Sequence, residues 1–208
     1  MAYFPFFIEL ADKRGLVAGG GAIAERKVER LLPYGPSLTV VAPRIGDGIR
    51  RHGGLTLLER PFSPEDLDGC HFAVAATNRR DVNAQIAGLC RARGIPVNAV
   101  DDAQSCTFLF PALVRRGALS VGISTGGSSP AAAAYIKEQI EGILPSDFDD
   151  ILAFLYAQRK RVHALLPDEQ ARARLMKALL AACLSRGGPL SADETEQYMQ
   201  QVLGELCR

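Results

Sequence analysis

In the first half of the chain, apolar residues gather in short runs. Each run gives way to a stretch where they recur three and four positions apart. The runs GLVAG (15–19), SLTVVA (37–42), LTLLE (55–59), FAVAA (72–76) and IPVNAV (95–100) have the length and punctuation of buried strands. Between them, Ile23 to Leu32 carries Ile23, Lys27, Val28, Leu31 and Leu32 at helical spacing and stops near Pro33. Asp81 to Arg93 places Val82, Ile86, Leu89 and Cys90 on one face and closes on Gly94. SPED (63–66) is a helix start, with Ser63 as cap and Pro64 in the first turn. Strand and helix in alternation predict a parallel sheet flanked by helices.

The pattern then changes. TFLFPALV (107–114) and ALSVGIS (118–124) flank Arg115-Arg116-Gly117, too short a link for a crossover, so they predict an antiparallel hairpin. Ser129-Pro130 opens a helix through Leu144, with Ile136, Ile140, Ile143 and Leu144 predicted to face inward. SDFD (146–149) resembles a capping box ahead of Phe148, Ile151, Leu152 and Leu155. Helical patterns over roughly 168–185 and 192–206 follow, the last capped by SADE (191–194), with no strand signal after residue 124.

Composition narrows the function classes. The chain has 208 residues, 48% of them apolar, and a net charge of +1, so it holds a core and exerts no global pull on nucleic acid or an anionic membrane. No apolar run approaches the ~18 residues of a membrane span. MAYFPFFIEL lacks the basic flank and cleavage site of a signal peptide, and a cytoplasmic location is expected. Cys70, Cys90, Cys106, Cys183 and Cys207 are widely spaced and the three histidines isolated, so reduced thiols and no metal site are expected.

Four places can carry chemistry. Gly19-x-Gly21-x-x-Ala24 follows a predicted strand and opens a predicted helix. Glycine suits the tight turn, a side chain at Gly21 would block a pyrophosphate, and a small Ala24 lets helix and strand pack closely. The helix start adds unpaired N–H groups and partial positive charge; the plainer reading is an ordinary glycine-rich turn. After the second strand stands Ala42-Pro43-Arg44, with no acid for a ribose. Arg44 either meets a 2′-phosphate, hence NADP, or points to solvent. Asp101 and Asp102 end a predicted strand, with Asp101 continuing it toward a cleft and Asp102 turned outward, or both are turn-capping acids. STGGSSP (124–130) can cradle an anion on successive N–H groups or simply cap a helix. Arg115-Arg116 and the run from Gln158 to Arg161 are basic clusters that matter only for an acidic substrate.

In order, YFPFFIEL, VAGGGAIAERKVERLL, TVVAP, AVAATN with Asn83 following, IPVNAVDD…FLFPALVRRG and ISTGGSSP resemble the precorrin-2 dehydrogenase family, which includes the N-terminal module of siroheme synthase. The likeness covers about residues 3 to 145. It implies an α/β fold: a Rossmann-type NAD-binding domain (1–113), a dimerisation hairpin and helix (114–145) and an all-helical C-terminal domain (146–208). It implies NAD-dependent oxidation of precorrin-2 to sirohydrochlorin by a homodimer, with Asp101 as the essential aspartate. Cofactor contacts are implied at Gly19, Gly21, Ala22, Ile23, Pro43, Arg44 and Thr77. Substrate contacts are implied at Ser124, Thr125, Gly126, Gly127 and Ser128, and Arg115 and Arg116 suit a polycarboxylate. In the VVAP pattern a ribose-binding acid is not expected. Pro33 and Pro36 depart from the family's usual helix end. Ferrous iron insertion into sirohydrochlorin, alone or in addition, and a non-catalytic nucleotide or tetrapyrrole sensor are the alternatives.

Overall fold

The computed structural model describes residues 3–206. The chain divides into two compact units, one of Pro5–Phe110 and the other of Pro111 onward with Tyr3 and Phe4. In the first unit, strands β1 (Arg14–Ala18), β2 (Ser37–Val41), β3 (Thr56–Leu58), β4 (Phe72–Ala75) and β5 (Val97–Ala99) form one sheet in the order β3-β2-β1-β4-β5. All its pairs are parallel; Leu16 lies opposite Thr39 on one side and Ala73 on the other. The order reverses between β1 and β4, and the crossovers leave β1 and β4 in opposite directions. In such sheets the C-terminal strand ends open into a ligand crevice at that point.

Alternation along the strands divides the core into two layers. Val17, Leu38, Val40, Phe72 and Val74 pack with Ala24, Val28 and Leu31 of α1 (Ala22–Leu31) and with Ile49 of the one-turn helix α2 (Asp47–Arg50). Leu16, Ala18, Val41, Ala73, Ala75, Val97 and Ala99 pack on the other side with Ile86, Ala87 and Cys90 of α3 (Arg80–Ala92). Ala24 is fully buried, the close helix–strand approach its size permits. Ile23, placed by periodicity with the apolar face, is instead exposed, while its neighbour Ala24 takes the inward position in that turn. α1 stops at Leu31, and Pro33 sits in a 3-10 turn (Leu32–Tyr34) closed by Gly35 at φ 70°. SPED forms a single 3-10 turn, Pro64–Leu67, rather than a longer helix.

Residues 107–111, expected as strand, are irregular, and only Ala112–Arg116 (β6) pairs with Leu119–Ile123 (β7). The preceding segment is tied to β5 by the Thr107 amide, which donates to the Val97 carbonyl at 2.8 Å, and by side chains. Val97 N–H donates to Thr107 Oγ1 at 2.7 Å, and Asn98 Nδ2 donates to the Phe108 carbonyl at 3.1 Å. Phe108 and Phe110 lie 5.5 Å apart, and Lys27 Nζ of α1 stands 3.9 Å from the Phe110 ring centre.

Burial and the nearby Arg30 charge push the Lys27 amine down to about 8 from its ordinary 10.5. Below pH 8 folded and unfolded chains both hold that proton. Between 8 and 10.5 only the unfolded chain does, so this group's contribution to stability grows as pH rises through the window. Lys27→Met, which keeps the stem on Phe110, is expected to raise stability at neutral pH by about 1 kcal/mol after allowance for partial exposure. It should also flatten the rise of melting temperature between pH 8 and 10, which thermal melts across that range would record.

In the second unit, β6 and β7 form a hairpin whose two-residue loop begins at Gly117, φ 51°, where a type II′ turn demands glycine. Arg115 and Arg116 therefore sit in β6, not in the turn. Helix α4 (Pro130–Ile143) starts from Ser129, whose hydroxyl accepts from Ala132 N–H at 3.1 Å. The inward face predicted for α4 is not realised within one chain: only Ala133 is buried, while Tyr135, Ile136 and Ile143 are 59%, 42% and 79% exposed. Helices α5 (Phe148–Leu165), α6 (Glu169–Arg186) and α7 (Ala192–Leu206) share a core of Val162, Leu175, Leu179 and Met199. Asp147, without a side-chain cap bond, precedes α5, so SDFD is not a closed capping box. SADE is one: Ser191 N–H donates to Glu194 Oε2 at 2.8 Å, and Glu194 N–H returns to Ser191 Oγ at 3.3 Å.

Candidate functional site

The three glycines after β1 answer to three different constraints. Gly19 has φ 136°, and a Cβ there would lie 2.7 Å from the Ala76 carbonyl carbon and 3.2 Å from Thr77 N. This is the price of bringing the ends of β1 and β4 together at the reversal of strand order. Gly20 is just as confined, since its Cβ would lie 3.0 Å from both the Arg44 carbonyl carbon and Ile45 Cα. Its own carbonyl accepts from Gly46 N–H at 2.9 Å, tying the loop after β2 to the turn.

Gly21 differs, because a Cβ there would meet nothing within 4 Å. No protein contact requires glycine at this position, and the open space beside it leaves room for a ligand. Gly21 is also the N-cap of α1 with no side-chain cap bond, so the helix start keeps its amides for an external acceptor. A turn with two glycines forced by backbone crowding and a third facing open space fits a pyrophosphate. Ala22 and Ile23 are exposed beside it, as are Pro43 and Arg44 beyond β2.

At the end of β4, Thr77 is locked by Asn83. Asn83 Oδ1 lies 3.1 Å from Thr77 N and 2.7 Å from its hydroxyl, and Asn83 Nδ2 donates to the Thr77 carbonyl at 3.1 Å. Asp101 lies beyond β5, on the same edge of the sheet. β5 ends at Ala99, so Asp101 does not continue the strand; it occupies a turn with φ 60° and is exposed. Left-handed backbone at a non-glycine residue is uncommon, and aspartate tolerates it better than most. Asp102 is the more enclosed of the two and accepts from Ser105 N–H at 3.1 Å. Hydrogen bonding from the Ser105 hydroxyl, and secondarily from its amide, holds the Asp102 carboxyl below its ordinary range. Beneath the turn, Cys106 Sγ lies 3.2 Å from the Ala99 amide and carbonyl and 3.3 Å from the Asp102 carbonyl.

In the second unit, neighbours on a strand face opposite ways, so Arg115 and Arg116 cannot aim at the same group. The turn from Ser124 to Ser129 spends half of its own amides on itself. Gly126 N–H donates to Ser124 Oγ, Ser128 N–H to the Thr125 carbonyl and Ser129 N–H to Thr125 Oγ1. Gly126 and Gly127 take φ 63° and 87° to close it. It therefore presents hydroxyls, Ser128 foremost, rather than the row of amides that its glycines suggest.

Comparison with known proteins places these features. Residues 6–112 match the family described as "Putative NAD(P)-binding", and residues 116–143 match "Sirohaem biosynthesis protein central". The chain belongs to the precorrin-2 dehydrogenase and siroheme synthase N-terminal module family. Siroheme synthase of Pseudomonas entomophila is 41% identical over 83% of the chain, and that of Pseudomonas aeruginosa (strain PAO1) is 38% identical over all of it. The chain spans only 38% and 46% of those two proteins. A solved structure, SirC, precorrin-2 dehydrogenase, is 27% identical, with a TM-score of 0.69 over 97% of this chain and all of that one. The first unit is thus a Rossmann-type domain for a nicotinamide dinucleotide.

Within this family frame, Gly20 and Cys106 escape a reading by motif. Gly20 is skipped by the Gly-x-Gly template, although three glycines in a row signal extra crowding, and Cys106 looks like an ordinary loop residue. Asn83 belongs to the resembling pattern, but its closure on Thr77, six residues away, shows only in the folded loop.

Proposed function

We propose that the protein dehydrogenates precorrin-2 to sirohydrochlorin, with NAD as oxidant. The observation that carries this reading is the likeness to SirC over the full length of that chain, in both helical and sheet portions. The glycine turn built for a pyrophosphate supports it, and the family resemblance favours NAD over NADP. Gly19, Gly21, Ala22 and Ile23 would hold the pyrophosphate, Pro43 and Arg44 the adenosine side, and Thr77 the far side of the crevice. When bound, the dinucleotide supplies the hydride acceptor.

The chain's own residues supply position and a base. One carbon of the macrocycle gives up a hydride, and Asp101 Oδ takes up the accompanying proton. Asp101 stands on the edge of the sheet where the glycine turn also opens, so one crevice serves both. The hydroxyls of Ser124, Thr125 and Ser128, the turn glycines Gly126 and Gly127, and Arg115 or Arg116 are proposed to meet the substrate's carboxylates.

A homodimer is proposed, supported by the exposed Tyr135, Ile136 and Ile143 of α4, a helix that falls within the siroheme-protein match. Among the described residues, no helix is long and apolar enough to cross a membrane. The described cysteines are free thiols, which suits a reducing compartment, and the cytoplasm is proposed. The deciding experiment mixes the protein anaerobically with freshly made precorrin-2 and NAD. A rise in NADH absorbance matched one-to-one by sirohydrochlorin is expected; unchanged precorrin-2 would refute the activity.

A further inference from the structure

We infer that Asn83 is a positioning residue for the nicotinamide half of the cofactor, acting through Thr77; this rests on the dinucleotide reading above. Asn83 lies in the first turn of α3 and is 4% exposed. A buried amide must find partners for both its ends, or it costs more than an apolar residue of the same shape. Its Oδ1 takes the Thr77 amide (3.1 Å) and hydroxyl (2.7 Å), and its Nδ2 gives to the Thr77 carbonyl (3.1 Å). Every side-chain bond recorded for Asn83 therefore ends on one residue. That residue belongs not to the core but to the loop that leaves β4.

Thr77 is also fixed from two other directions. Its amide nitrogen is the atom that a side chain at Gly19 would meet at 3.2 Å, so it borders the glycine turn. Its hydroxyl lies 3.0 Å from the Arg79 carbonyl and accepts from Arg79 N–H at 3.1 Å, which shapes the start of α3. Asn83 thus sets the height of the loop on the β4 side of the crevice.

The two halves of the cofactor are separated by the strand order. The first glycine turn takes the pyrophosphate and the end of β2 the adenosine, so the reactive half extends over β4 and β5. A displaced Thr77 loop should then weaken the whole dinucleotide while leaving an adenosine fragment unaffected. A residue that serves the core alone would weaken both together or neither.

The test compares NAD and ADP affinity by titration calorimetry, with thermal melts in parallel, in wild type and three variants. Asn83→Asp keeps the acceptor for the Thr77 amide and removes the donor to its carbonyl. Thr77→Val removes the hydroxyl and leaves the backbone bonds to Asn83, and Thr77→Ser restores the hydroxyl. Asn83→Asp and Thr77→Val are each expected to weaken NAD about tenfold and ADP less than about twofold, with Thr77→Ser near wild type. KM for NAD should rise more than kcat falls. Equal losses of NAD and ADP, or NAD affinity unchanged in both variants, would overturn the inference; Thr77→Val keeps it testable should Asn83→Asp fold poorly. Wild type that binds both ligands and leaves precorrin-2 untouched, with the variants still showing the expected pattern, would defeat the proposed activity and leave this role standing.

Discussion

Gly21→Val should abolish dinucleotide binding without disturbing the fold, and Gly19→Ala should do the reverse in emphasis, damaging the fold first. The contrast follows from what each added carbon would touch. At Gly21 the Cβ points into open space, so the melting temperature should stay within about 2 °C of wild type. The branched side chain would nonetheless fill the place where a pyrophosphate must approach the backbone, and affinity for NAD should fall by at least about 100-fold.

At Gly19 the added carbon drives into the backbone of Ala76 and Thr77, and φ 136° is closed to an L side chain. Strain of that kind together with overpacking costs about 3 kcal/mol. For a chain of this size that corresponds to about 6–12 °C. Calorimetric titration and thermal melts on both variants check the pair. A Gly21→Val protein that binds NAD normally would show that the turn does not seat the pyrophosphate.

Asp101→Asn should lower precorrin-2 oxidation by about 10²- to 10⁴-fold, the usual scale for removing a general base. Its melting temperature and NAD affinity should stay close to wild type. Asparagine is the informative choice because it shares aspartate's tolerance of left-handed backbone, and Asp101 has φ 60°. Alanine at the same place would add backbone strain of about 1 kcal/mol, and a loss of rate would then be ambiguous. Asp102→Asn is the companion. Asp102 is committed to the Ser105 amide, so this variant should loosen the turn modestly and keep most of the rate. Single-turnover measurements of both variants, started by adding precorrin-2 to the NAD complex, would separate chemistry from binding. An undiminished rate for Asp101→Asn would move the base elsewhere.

Much of the first unit was legible in the chain because its signals are local. The five apolar runs became the five strands to within a few residues, and Ala24 is buried as its size foretold. Gly94 closes α3 in the left-handed region, and in the second unit Ser191 with Glu194 caps α7. Such features depend on a residue and its neighbours in sequence, which is why spacing reveals them. Periodicity failed where helices meet solvent or another surface. Ile23, Ile136 and Ile143 follow a helical repeat, yet none is buried in the single chain. An apolar repeat shows which face of a helix seeks cover and not what supplies it.

The segment 107–111 failed for a related reason. Its residues suit a strand, but Thr107 and Phe108 are fixed to β5 by the Thr107 amide and by side-chain bonds from Thr107 and Asn98 rather than by a full ladder. The site divides along the same line. The amino-acid order alone determined the strands, the uncapped start of α1 and the bare turn between them, for these arise from turn geometry and burial over a few residues. Only the folded structure decided that Gly20 must give way to Arg44, that Asn83 closes on Thr77, and that Asp101 leaves its strand in a left-handed turn held from below by Cys106. The last two join residues only four to seven apart and turn on the course of the loops that leave β4 and β5. The first depends on the loop after β2 lying beside the end of β1, an adjacency set by strand pairing, a property of the whole sheet that no stretch of residues carries by itself.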